Sequence, residues 1–159
     1  MDNDFANIEG IFKTNTDLVG KALQEVPPDH WFRAPGNNSN HLMWVAGHLV
    51  VHRAAVLNYL GGEWKAPWSD LFKRGAQRSD NDQYPPIDEI KSAWQDVSRE
   101  LFARLANPPA ELSKPAPKGP PSFDGKLSGS VAFLAFHETY HVGQVSYLKK
   151  WLGFGQTVG

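Results

Sequence analysis

The 159-residue chain has no cysteine. Disulfides, thiolate zinc sites and a protein-borne cysteine nucleophile are therefore excluded. It also has almost no net charge: sixteen basic residues stand against seventeen acidic ones, leaving −1. No broad positive field is available to a phosphate backbone, which argues against nucleic-acid binding. No window reaches the ~20 apolar residues of a membrane span. The opening Met-Asp-Asn-Asp-Phe lacks the basic region and apolar run of a secretory leader. A soluble cytoplasmic protein that binds no membrane is expected. Strand-like alternation and internal repeats are missing as well. The length suits one domain, residues 1–159, on a soft scale of about 150 residues per domain.

Proline is abundant but confined. All twelve residues fall in three clusters: Pro27, Pro28 and Pro35; Pro67, Pro85 and Pro86; and Pro108, Pro109, Pro115, Pro117, Pro120 and Pro121. Proline lacks an N–H and clashes with the preceding helical turn, so these clusters punctuate the chain and leave four helical windows. In the first, Phe5, Ile8, Phe12, Asn15, Val19, Ala22 and Val26 recur three and four apart, with only Asn15 breaking the apolar stripe. The second is expected to be capped by Asn37, Asn38 or Ser39, to run through Leu42, Val45, Leu49 and Val56, and to stop at Gly61-Gly62. A third follows Pro85-Pro86, with Asp88 and Glu89 at its positive end and Ile87, Ile90, Trp94, Val97, Leu101 and Leu105 inward. The last starts near Ser128, carries Val131, Leu134, Val145, Leu148 and Leu152, and ends with Lys149, Lys150 and Gly153.

Four helices with one apolar stripe apiece call for an all-α fold, a four-helix bundle. Its connections are far longer than the ~2–8 residues usual in bundles, so some must cross the bundle or cover an end. The segment 62–86, with Trp64, Trp68, Phe72 and Tyr84, reads as a packed cover. The six-proline segment 107–127 reads as an ordered but irregular lid.

The histidines carry the chemistry. His137 and His141 lie four apart on one helix face, continued by Leu134, Gln144 and Leu148, and both are expected to point into the bundle. His48 and His52 are also four apart, with His41 seven before His48, in a stripe shared with Val45, Leu49 and Val56. Clustered interior imidazoles must stay neutral and each find a partner, and a divalent cation shared by facing helices provides one. The string His137-Glu138-Thr139-Tyr140-His141 fits H-E-x-x-H, in which two histidines hold zinc and the glutamate is a general base. None of the eighteen residues after His141 is His, Asp or Glu, so the downstream third ligand of such proteases is absent. The third ligand must come from upstream, with His48 and His52 as candidates.

Gln144 reads either as a group orienting a ligand imidazole or bound water, or as a polar residue at the core edge. Glu138 reads as a general base or a solvent-facing residue, being rotated roughly 100° from His137. Asn15 is a hydrogen-bonded registry residue or a pocket wall. Gly143 is expected to admit a neighbouring helix. Trp44, Tyr140 and Trp151 are taken as core aromatics.

A Gly-His-Leu turn at His48 followed by the late pattern His137-x-x-x-His141-x-Gly143-Gln144 resembles the DinB/YfiT superfamily of metal-binding four-helix bundles. The resemblance implies that His48, His137 and His141 bind one divalent ion, nickel or zinc first and manganese or iron next, with a position left open to water or substrate. It also implies a small-molecule substrate. Members include thiol-dependent S-transferases and a mycothiol-dependent maleylpyruvate isomerase, and others are described only as metal-dependent hydrolases. The expected function is therefore a metal-dependent enzyme activating water or a low-molecular-weight thiol, with Glu138 and Gln144 as catalytic candidates. The alternative is a non-catalytic metal or small-ligand binding protein of a stress response. A homodimer is expected because related bundles pair and the aromatic content exceeds what one core of this size easily hides.

Overall fold

The computed structural model describes residues 3–158; Met1 and Asp2, which open the stretch read for a leader, and Gly159 lie outside the described residues. Four long helices dominate: α1 (Asn3–Glu25), α2 (Leu42–Tyr59), α3 (Ile87–Ala106) and α4 (Leu127–Trp151). Among the described residues there is no strand, only an isolated bridge between Pro115 and Lys126. The fold is all-α, as the proline punctuation and the helical periodicity require. No helix among the described residues is long and apolar enough to cross a membrane.

α1 buries Ile8, Phe12, Asn15, Val19 and Ala22 on one face and ends before Pro27-Pro28. Trp31, fully buried, donates its indole N–H to the carbonyl of Val26 at 3.0 Å and so satisfies a group that the end of the helix leaves free. α3 turns Ile90, Trp94, Val97, Leu101 and Leu105 inward as its spacing predicts. Gly61 and Gly153 follow α2 and α4 with φ of 76° and 93°, a left-handed conformation that terminates helices and suits glycine.

Two expectations need correction. α2 does not begin with Asn37, Asn38 or Ser39: its cap is His41, whose Nδ1 accepts the backbone N–H of Trp44 at 3.1 Å. An imidazole nitrogen can satisfy a free amide as an Asn or Ser oxygen does, and Asn37, Asn38 and Ser39 lie in a turn and bend before it. Nor does α2 carry a single apolar stripe. Residues Leu42 to Val50 are all buried, because α3, α4 and the 3₁₀ turn Ser69–Phe72 enclose the helix on several sides.

α1 packs on α4 and α3, and α2 packs on α3 and α4, so the chain-adjacent pairs α1/α2 and α3/α4 lie on diagonals of the bundle. This arrangement explains the length of the connections 26–41 and 107–126. The connection 60–86 is the expected cover: Phe72 and Tyr84 are buried in it, and Trp64 and Trp68 pack against the core. The core has two parts, one around Leu49, Trp94 and Val145 and one around Phe12, Leu101 and Val131.

Candidate metal centre

His48 sits where α2 meets that cover. The residue before it, Gly47, has no side chain, and the ring of Phe72 occupies the space a Cβ would fill. This close approach brings the Phe72 carbonyl to 2.8 Å from His48 Nδ1, which donates to it. The tautomer follows: Nδ1 carries the proton and Nε2 keeps its lone pair. Trp44, one turn earlier, stacks on the imidazole with ring centroids 4.9 Å apart and 8° between planes.

α4 supplies the other two rings. His141 Nδ1 donates to Gln144 Oε1 at 2.8 Å, fixing that ring in the same way. His141 Nε2 then lies 3.1 Å from His137 Nε2. His48, His137 and His141 each offer one nitrogen, all within 4.8 Å of one another, and they form a group able to hold a metal ion. The fit is good: two nitrogens at ~2.0–2.1 Å from one zinc, at a tetrahedral angle, stand about 3.3 Å apart. Two nitrogen lone pairs facing each other repel unless a proton or a cation lies between them, and neutral imidazole suits zinc and nickel alike.

The electrostatics keep these imidazoles neutral. Burial lowers the pKa of His141 to about 4 and pushes that of His48 down. His137, only half-buried, is lowered by burial and by the charge of Arg74. An imidazole free of a proton at neutral pH is ready to coordinate.

The remaining histidines stand apart from this group. His52 is buried and donates Nε2–H to the Leu134 carbonyl at 3.0 Å; burial lowers its pKa to about 3. Its ring is 5.3 Å from that of His137, but its nitrogens do not belong to the ligand cluster. His41 is the α2 cap, packed edge-on against Phe32 and Tyr84.

Glu138 is neither solvent-facing nor brought to the triad. It is fully buried, and both its oxygens are engaged by Arg53, Nε to Oε2 and Nη2 to Oε1, each at 2.9 Å. Asn15 adds a bond to Oε1 at 3.1 Å. Arg53 also reaches Ser98 and the Phe12 carbonyl, and its guanidinium lies 3.9 Å over the Trp94 ring. One buried ion pair thus joins all four helices where the two parts of the core meet. Sequence reasoning missed Arg53, although a lone arginine beside His52 in a helix of apolar neighbours was a visible signal.

Further placements differ from expectation. Trp44 is buried, but Tyr140 and Trp151 are 61% and 41% exposed, because α4 turns that face away from the core. A Cβ at Gly143 would meet nothing within 4 Å, so no helix approaches there. Gln144 is half-buried and lines a cleft with Tyr140, Asn38 and Asn40. A cavity of about 210 Å³ reaches two of the triad, His48 and His137, and lies between them, His52, Arg74 and Pro120-Pro121, so both proline-marked connections contribute to it.

No curated protein matches the sequence. A family model described as the DinB superfamily matches residues 11–145, a span that contains all three clustered histidines. With a four-helix bundle, a histidine triad between α2 and α4 and a family match over most of its length, this chain belongs to the DinB superfamily.

Proposed function

We propose that the protein is a metal-dependent enzyme in which His48, His137 and His141 hold one divalent ion, zinc or nickel before manganese or iron, with a coordination position facing the cavity. The observation that carries the reading is the orientation of the ligand rings: the Phe72 carbonyl fixes His48 and Gln144 fixes His141, each through Nδ1, leaving Nε2 for coordination. Rings held in this way by outer partners are the design of resident metal sites. Bound there, a divalent ion would supply Lewis-acid activation of water or of a low-molecular-weight thiol.

The protein's own groups bind, orient and exclude water. Gln144 holds the His141 ring, Phe133 and Pro120-Pro121 shield the cavity, and the buried Arg53–Glu138 pair keeps α2 and α4 in register. Glu138 acts as this anchor rather than as a base, since both its oxygens face Arg53. The substrate is a small molecule, given the cavity of about 210 Å³. If a thiol reacts, it arrives with a cosubstrate, because the chain has none.

The test is elemental analysis of the purified protein and of His48→Ala, followed by hydrolytic and thiol-transfer assays with and without chelator. One equivalent of metal in the wild type, lost in a folded His48→Ala variant, is expected. Stoichiometric metal in that variant would overturn the ligand set. A saturated coordination sphere with no exchangeable water would move the reading to a non-catalytic metal-binding protein. We also propose a homodimer, for which the exposed Phe136, Tyr140, Tyr147 and Trp151 along α4 provide an apolar face. Sedimentation velocity of the wild type and of Phe136→Ser tests it, a monomeric wild type being the result that overturns it.

A further inference from the structure

The cavity beside the triad is lined by two cations and no carboxylate. Lys73 and Arg74, both exposed, come from the 60–86 cover, and the other lining residues are the imidazoles of His48, His52 and His137 or apolar groups. Lys73 has Asp70 at 3.9 Å, whereas Arg74 makes no ion pair among the described residues. Neutral histidine ligands would leave a bound divalent ion its full double charge, so nothing on the protein side balances the site. A ligand that brings negative charge is favoured, and a planar guanidinium fork matches a carboxylate through two parallel hydrogen bonds. A phosphate dianion would draw on both cations, and Lys73 is shared with Asp70, which leaves Arg74 as the one unpaired charge of the lining among the described residues, a match for a single carboxylate. The volume of about 210 Å³ is below the ~300 Å³ at which drug-sized pockets begin.

We propose that Arg74 selects a short organic acid as the substrate or cosubstrate of this site, its carboxylate held by the guanidinium, its short apolar body against Phe133 and Pro120-Pro121, and its reacting end toward the three histidines. The proposal rests on the metal reading only for that reacting end; the carboxylate preference belongs to Arg74.

The experiment is calorimetric titration of the zinc-loaded full chain with 3-mercaptopropionate and with 3-mercaptopropanamide, thiols of equal length that differ in the charge of the tail. The carboxylate is expected to bind about tenfold tighter or more, a difference of ~1.4 kcal/mol. In Arg74→Gln the two affinities should converge, while zinc content and amide affinity stay at wild-type values. Equal affinities in the wild type, or a preference kept in Arg74→Gln, would overturn the proposal. If the chain took up no zinc, the metal reading would fail by itself. The same pair titrated into the metal-free protein would then decide the carboxylate preference, with equal or undetectable binding of both counting against it.

Discussion

His48 donates its Nδ1 proton to the carbonyl of Phe72 at 2.8 Å, across 24 residues of chain. The bond exists because Gly47 lets the Phe72 ring settle onto α2. The proposed metal ligand is thereby oriented by a loop, and the loop is admitted by a glycine.

Gly47→Ala should therefore weaken metal binding without unfolding the bundle. The added Cβ overlaps the Phe72 ring, the cover shifts, and His48 loses its acceptor. Loss of such an outer partner costs about 10–100-fold in metal affinity. Competition against a chromogenic chelator measures it, and unchanged affinity with an unchanged circular dichroism spectrum would contradict this account of His48.

Glu138→Ala should destabilise the fold by about 3–5 kcal/mol, because it strands the buried Arg53 charge. Replacing both partners, as Arg53→Met with Glu138→Leu, should recover most of that loss. Urea unfolding of the single and double variants decides the matter. A fully stable Glu138→Ala protein would mean that the pair does not hold the helices together.

Stability should fall on acidification below neutrality. Burial lowers the pKa of His41 to about 4, with the charge of Arg78 adding to the effect, and burial lowers His52 to about 3, both against an ordinary value of 6.5. Above about pH 6.5 these rings are neutral folded or unfolded and contribute no pH dependence. Between there and the folded values only the unfolded chain takes up the protons, so stability drops by up to ~1.4 kcal/mol per pH unit for each ring. Thermal unfolding from pH 7.5 to 4.5 should show the decline. His41→Asn, which can keep the cap, should flatten it, and an equal slope in that variant would assign the effect elsewhere.

Metal removal should lower the melting temperature. A ligand bound only by the native state stabilises by mass action, about 4 kcal/mol at a thousand times its dissociation constant. Thermal shift with zinc and with chelator should separate for the wild type and coincide for His137→Ala. Coincident curves for the wild type would count against a site formed by the folded triad.

Much of this protein was legible from local rules. Proline positions mark all four helices because a pyrrolidine ring cannot enter a helix interior, and the three-and-four spacing of Ile90, Trp94, Val97 and Leu101 names the buried face of α3. The i, i+4 pair His137 and His141 places two imidazoles together by helical geometry alone. The absence of cysteine settled which sulfur chemistry the chain cannot do by itself.

Which upstream histidine joins that pair was a tertiary decision. His48 and His52 differ by a single turn, and the choice came from a loop carbonyl engaging one and the Leu134 carbonyl engaging the other. The role of Glu138 was equally out of reach, since its partner Arg53 lies 85 residues away and only the crossing of α2 with α4 brings them together. Periodicity assigns a residue to a helix face; it does not say which neighbour that face will meet. Packing decided that, because a charge or an imidazole removed from water must find its partner wherever the fold provides one.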